Sequence, residues 1–388
     1  MDLSQAVNLL STKEPSVRSP RLLSLDVLRG LTVALMILVN NAGDGAVSYA
    51  QLRHSVWNGC TLTDIVFPSF LFIVGASIPL AFSTRLKRGA SRIAIASQLA
   101  RRAVTIFALG LILNALLFFH LGELRIYGVL QRIALCYAVA GVVYLAGGTA
   151  ACPSAVAVIL SGYWWLMARV PVPGAGLPGV DVPLLDRTAN LAAWLDRQLL
   201  PAAHLYHHGN YDPEGLLSTL PAVATTMLGT LSIIWLRTER SLAAKAGALA
   251  AAGALSLAAG LAWAQAFPLN KRLWTSSFVL FTAGVVMVVF AFVYWLVDGP
   301  INLRRGLTPC LVFGTNALTA YVLSEVLAIT LGVIPAPHSA DLQQFLYKLL
   351  PFWLGPPPFV SMIYSILFVL VCSCPLLLLY RRKIFIKL

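Results

Sequence analysis

Between Val279 and Trp295 the chain runs seventeen residues without a charge and with little polar interruption. As a helix that run spans about 26 Å, close to the ~30 Å hydrocarbon core of a bilayer. Similar stretches recur along the sequence, and we read ten spans at about 25–43, 61–83, 103–121, 128–147, 153–170, 216–236, 246–266, 275–297, 309–333 and 358–380. Hydrocarbon offers no hydrogen-bond partners, so each span must satisfy its own backbone, and a helix does so. The runs lack the two-residue alternation of an outer-membrane barrel. Composition agrees: 59% of residues are hydrophobic and 11% are charged, against about a quarter charged in a soluble domain. The expected fold is all-α, a polytopic transmembrane bundle.

The net charge of +13 raises nucleic acid as a partner, but the distribution argues against it. Placing both termini in the cytoplasm puts eighteen Lys and Arg in cytoplasmic segments and seven in outer ones, as the positive-inside rule asks. Arg29, Arg132 and Arg169 fall within or at the ends of spans. Residues 1–22 read as a flexible cytoplasmic tail without the apolar core of a cleavable signal, and 23–388 as one membrane domain. A Pro- and Gly-rich outer loop, 171–215, is inserted between the fifth and sixth spans. Within it Leu191, Trp194, Leu195 and Leu199 form an amphipathic stripe suited to an interfacial helix. The six cysteines show no metal-site spacing, and His204, His207 and His208 are loosely spaced. No metal site is expected.

Polar groups inside spans are costly and mark function or pairing. Asp26 and Arg29 are three apart and share a helical face; they form an ion pair at the rim, or Arg29 holds an anionic ligand. Asn40 and Asn41 end the first span as caps or as donors. A polar loop, Arg53 to Thr61, then feeds directly into an apolar helix carrying Asp64 in its first turns, where an acid suits the helix dipole. His54 stands ten residues before Asp64, within reach by a fold-back. Gln131 and Arg132 open the fourth span without a local acid. Tyr211-Asp212-Pro213-Glu214-Gly215 reads as a helix start. Asn270 and Lys271 precede the eighth span, against the charge trend, and Asn316 lies in the ninth.

Six segments recur in order in one family: Ser24-Leu-Asp26-Val-Leu-Arg29-Gly30; His54-x-x-Trp57-Asn58-Gly59 with Thr63-Asp64-Ile65-Val66-Phe67-Pro68; Gly128-Val-Leu-Gln131-Arg132; Tyr211-Asp212-Pro213-Glu214-Gly215; Asn270-Lys271-x-Leu273-Trp274-Thr275-Ser276; and Asn316-Ala-Leu. With these the chain resembles the heparan-α-glucosaminide N-acetyltransferases, transmembrane acyltransferases with many bacterial members, from about 20 to 380. The resemblance implies acetyl transfer from acetyl-CoA, as co-substrate, to an amino sugar or glycan on the outer side of the membrane. It implies a bacterial inner-membrane location and a homodimer. It matches His54 to the family's active-site histidine, Asn40 to the asparagine near the end of its first helix, and Asp64 to the acid ten residues after the histidine. The segment Asn41–Arg53 is longer here than in the animal enzyme, which bears on the acceptor side.

An amine attacks a thioester only when deprotonated, and it sheds a proton afterwards. The expected mechanism makes His54 the general base or the acetyl carrier, Asp64 its orienting partner and Asn40 an oxyanion donor. Arg29, Gln131, Arg132, Asn270, Lys271 and Asn316 are the candidates for holding acetyl-CoA. The competing class is a transporter or flippase of a sugar or lipid-linked sugar, which inverted repeats would favour; none is evident between the two halves.

Overall fold

A computed structural model describes residues 22–116 and 121–386. Most of the expected tail, and part of the third expected span, lie outside the described residues. Twelve α-helices follow one another: α1 Leu23–Asn40, α2 Leu62–Lys87, α3 Arg92–Leu116, α4 Val129–Arg169, α5 Leu191–Leu199, α6 Leu216–Leu236, α7 Leu242–Trp263, α8 Ser276–Val297, α9 Thr308–Thr315, α10 Ala317–Val333, α11 Leu342–Lys348 and α12 Pro357–Arg381. Among the described residues there is no strand beyond isolated bridges.

Eight of these helices are long and apolar enough to cross a membrane, and α9 with α10 makes a ninth span bent by 84°. The tenth comes from α4. Its 41 residues would reach about 60 Å if straight, twice a bilayer core. The helix breaks at Gly148, whose φ of 63° and ψ of −150° are not helical; glycine alone adopts such angles freely. The two arms fold side by side. Arg132 of the first lies 5.1 Å over the Trp274 ring, and Tyr163 of the second donates to the Leu273 carbonyl at 2.5 Å. The fourth and fifth spans are therefore a hairpin around Gly148.

Two other boundaries differ from the sequence reading. Helix α3 begins at Arg92, eleven residues before the expected 103, because its first three turns are polar on one side yet keep helical hydrogen bonding. The ninth span is broken at Asn316, whose side chain takes over backbone duties: its Nδ2 donates to the Ile384 carbonyl at 3.1 Å and its Oδ1 accepts from Ile386 N–H at 3.0 Å.

Lipid tails give helices no hydrophobic reason to associate, so close backbone packing carries more of the load. A Cβ at Gly75 would stand 1.7 Å from the Thr226 carbonyl oxygen, and one at Gly229 would stand 1.9 Å from that of Phe72. Thr230 adds a hydrogen bond to the Gly75 carbonyl at 3.0 Å. These contacts hold α2 against α6. Gly30 and Gly314 do the same for α1 and α9, against the carbonyls of Cys310 and Asp26.

The loops sort to two ends. At one end Arg92 donates to Leu145 O, Arg237 to Pro79 O and Ser24 N–H to Asp298; this end gathers the basic loops. The other end carries the His54 loop, the 171–215 insertion and the segment before α8. There α5 is not free on the surface. It buries Ala192, Ala193 and Asp196, and Asp196 accepts from Leu216 N–H at 3.1 Å, so the insertion folds over the start of α6.

Replacing Gly75 with Ala should lower thermal stability by at least the 1–3 kcal/mol typical of overpacking, measured by melting of the detergent-purified protein. Gly247→Ala, where a Cβ meets nothing within 4 Å, should leave the melting temperature unchanged or raise it slightly.

Candidate active site

Asp64 organises the His54 end. It is the third residue of α2, with no solvent exposure. Its Oδ2 accepts from the Thr61 N–H at 3.1 Å, the Thr61 hydroxyl at 3.1 Å and the Ser55 N–H at 3.0 Å. This is a helix N-cap arrangement worth ~1 kcal/mol. Its Oδ1 is left for His54, whose Nδ1 stands 2.8 Å away. A carboxylate can only accept, so His54 donates from Nδ1 and carries its lone pair on Nε2, 3.3 Å from the Lys271 amine. The His54 side chain is 44% exposed.

Lys271 completes the group. Its Nζ lies 3.0 Å from His54 Nδ1, 3.3 Å from Nε2 and 3.8 Å from Asp64 Oδ1. The loop that presents it is rigid. Asn270 accepts from Leu273 N–H at 2.9 Å and donates to Asn58 Oδ1 at 3.0 Å, while Trp274 takes a left-handed φ of 53°, a strained choice for a bulky residue. Gly59 N–H reaches across to Leu269 O at 2.8 Å. Asn270 therefore ties the histidine loop to the lysine loop. Burial pushes the Lys271 amine below its ordinary value, and the carboxylates of Asp64 and Glu214 oppose that shift.

A cavity of about 200 Å³ opens over these groups. Its far wall is an ion cluster. Arg125 donates to Asp212 from Nε at 3.0 Å and from Nη2 at 2.6 Å, and to Glu214 at 2.5 Å. Burial disfavours the guanidinium charge, but the two carboxylates hold it well above its ordinary value. Burial pushes Glu214 up, but Arg125, Arg132 and Lys271 together hold it below its ordinary range. The sequence reading took Asp212 and Glu214 as a helix start within a recurring segment and Arg125 as one of the outer cations, and paired none of them. Their pairing spans 87 and 89 residues, so no local spacing signals it.

One layer deeper lie Gln131 and Arg132, 2% and 1% exposed. Arg132 Nη2 donates to Gly215 O at 3.1 Å and to Ser218 Oγ at 2.5 Å. Its Nε and Nη1, and both amide atoms of Gln131, have no hydrogen-bond partner among the described residues. Such atoms cost ~1–3 kcal/mol each when unmet, so this pair keeps donors and an acceptor in reserve. A second cavity, about 270 Å³, lies beyond them and is lined by Arg29, Arg102, Ser77 and Tyr137. Val129 lines the first cavity and Ile133 the second, one helical turn or about 6 Å apart. Gln131 and Arg132 fall between them in the chain, but neither side chain lines either cavity. Arg29 also pairs with Asp26 at 2.8 Å and donates to Gly314 O at 3.2 Å. Arg102 drew no notice in the sequence, where it read as one of many loop cations.

Asn40 and Asn316 stand apart from the His54 cavity. Asn40 is exposed at the last turn of α1, and Asn316 spends its amide on the C-terminal segment. The structure brings His54, Asp64, Asn270 and Lys271 together, places Gln131 and Arg132 behind them, and puts Arg29 at the opposite cavity. Among the described residues no cluster of three His, Cys, Asp or Glu side chains is arranged to hold a metal.

Lys271 should titrate below the ordinary lysine value of ~10.4, read from the pH dependence of its reductive methylation by mass spectrometry. Asp64 raises that titration point, so Asp64→Asn should lower it further; a midpoint moving upward in this variant would contradict the geometry.

Residues 21–180 match the family model described as heparan-alpha-glucosaminide N-acetyltransferase, catalytic. The heparan-alpha-glucosaminide N-acetyltransferase of Homo sapiens is 31% identical over 367 residues, covering 80% of this chain and 54% of that protein. That of Mus musculus is 30% identical over 383 residues, covering 84% and 57%. The chain spans about half the length of the curated relatives it matches. The matched stretch carries His54, Asp64, Gln131 and Arg132, and on it the chain belongs to the heparan-alpha-glucosaminide N-acetyltransferase family.

Proposed function

We propose that the protein is an integral-membrane N-acetyltransferase that moves acetyl from acetyl-CoA to the amine of an amino sugar. The observation that carries this reading is a pair of cavities that meet the same arm of α4, one at Val129 and the other at Ile133. One holds a histidine base oriented by a buried carboxylate, and the other is lined by two arginines. The basic end faces the cytoplasm, by the positive-inside rule. Acetyl-CoA enters there, with Arg29 and Arg102 on its phosphates and its pantetheine arm passing Gln131 and Arg132. The amino sugar meets the thioester at His54 from the opposite side.

In this reading the amine nitrogen attacks the thioester carbonyl while His54 Nε2 takes its proton. Asp64 fixes the tautomer through Nδ1–H. The carbonyl oxygen gains negative charge, and the donor placed to meet it is Lys271 Nζ; Asn40, the donor expected from the sequence, does not line the cavity. The C–S bond then breaks, and the proton on His54 passes to the departing thiolate. General base catalysis by a placed side chain is worth about 10²–10⁴-fold.

With labelled acetyl-CoA and glucosamine, His54→Ala should lose about 10²–10⁴-fold in kcat while melting normally. Full activity in that variant would sink the mechanism. Arg102→Leu should raise KM for acetyl-CoA about tenfold and leave KM for glucosamine unchanged. An equal rise in both KM values would assign Arg102 to structure instead.

A further inference from the structure

Helix α7 is built largely from small residues, and it uses two of its faces differently. One face closes on α8: a Cβ at Gly253 would stand 2.9 Å from the Gly284 carbonyl oxygen, and one at Gly260 would stand 2.5 Å from Phe281 N. The face toward α6 carries Ala248, Ala252, Leu255 and Ala259 at helical spacing. Three of the four are alanines, too short to fill the space before α6. They leave a groove of about 680 Å³, within the ~300–1,000 Å³ of sites that hold a small molecule. Leu255 lines it and is 73% exposed, so the groove opens sideways to the surrounding hydrocarbon.

The lining offers no hydrogen to a polar ligand. Its two hydroxyls already donate to backbone carbonyls, Ser232 to Leu228 O at 2.9 Å and Ser256 to Leu280 O at 2.8 Å. The Trp235 indole does the same, Nε1 donating to Lys245 O at 3.1 Å. From Ala248 to Ala259 the groove follows α7 for about 16 Å. That length is close to one leaflet, half of a ~30 Å hydrocarbon core. An apolar slot of this length, open to the bilayer, has the form of a seat for one acyl chain.

The mouth of the groove at the basic end is positive. Trp235 lines it one residue before α6 ends, at the depth where indoles gather in membranes. The Arg240 guanidinium lies 5.3 Å from the Trp235 ring centroid, a cation–π contact that holds it over the opening. The bond from Trp235 to the Lys245 carbonyl brings the first turn of α7 to the same place. Arg237 is engaged elsewhere, by Pro79 O and Ser83 Oγ. Arg240 and Lys245 meet no carboxylate among the described residues, and Glu239 is the one acid in residues 237–245. From this geometry we infer that the groove binds an anionic phospholipid, with one acyl chain between α6 and α7 and the phosphate at Arg240 and Lys245. A second copy of the chain is the other body able to cover an apolar face inside a membrane. A two-fold dimer through this face would set the two basic mouths side by side, so the charge favours the lipid.

The test is native mass spectrometry of the delipidated, detergent-purified full chain, titrated with phosphatidylglycerol and with phosphatidylcholine of the same acyl chains. The first phosphatidylglycerol should bind about tenfold more tightly than the first phosphatidylcholine, since each surface cation favours an anionic headgroup. The double variant Arg240→Gln, Lys245→Gln should bring phosphatidylglycerol down to the phosphatidylcholine level. Ala252→Phe, at an exposed position in the groove, should weaken both lipids about tenfold by occupying the apolar surface a chain would cover, while melting normally. Equal binding of the two lipids by wild type, a phosphatidylglycerol preference that survives the double variant, or lipid binding untouched by Ala252→Phe overturns the site. A lipid-free wild-type dimer that Ala252→Phe splits also overturns it and assigns the groove to a second copy. None of these outcomes depends on acetyl transfer.

Discussion

The two oxygens of Asp64 do different work, and most of the site follows from that division. Oδ2 takes the Thr61 amide and hydroxyl at the start of α2 and the Ser55 amide of the His54 loop, so the carboxylate is fixed at the helix start. Oδ1 is then aimed at His54 Nδ1 with no further freedom to pay for. A histidine on a loop is held like one on a helix because its partner is built into a helix start. Lys271 approaches the same oxygen from a distant segment, which registers the α7–α8 connection against the α1–α2 loop.

Burial sets the cost of this arrangement, and charge pairing offsets it. Arg125 is bound by both Asp212 and Glu214. Asp64 has His54 and Lys271. Arg132 is the exception, with Nη2 used and its other nitrogens unmatched. A half-satisfied guanidinium beside an unpartnered glutamine is expensive for a structural element and reasonable for a surface that receives a polar molecule.

The spans were legible because hydrophobic length is a local property and a bilayer imposes it directly. Even the fourth and fifth spans, one continuous helical range apart from Gly148, were divided near the right place. The bend at Asn316 was not legible, since it depends on a side chain meeting a segment 68 residues later. His54 with Asp64 was within reach of the sequence, because a ten-residue fold-back into a capped helix start leaves few alternatives. The direct contact of Lys271 with His54 spans 217 residues, and nothing in a single chain's spacing announces it. Asn270, a candidate ligand contact by sequence, uses Nδ2 to join its loop to Asn58 and Oδ1 to accept from Leu273 N–H in its own loop.

The glycine contacts between α2 and α6 bear on how anything could pass through this protein. Their backbones touch at Gly75 and Gly229 with no side chain between them, and α1 and α9 meet in the same manner. Helices in such contact have no lubricating layer of side chains over which to slide, whereas a carrier that alternates between two faces must rock one bundle against another. The glycines thus join α2 to α6 and α1 to α9 backbone to backbone. On the proposed function, the part of the donor that reaches His54 must then be slender enough to fit beside helices that do not part for it.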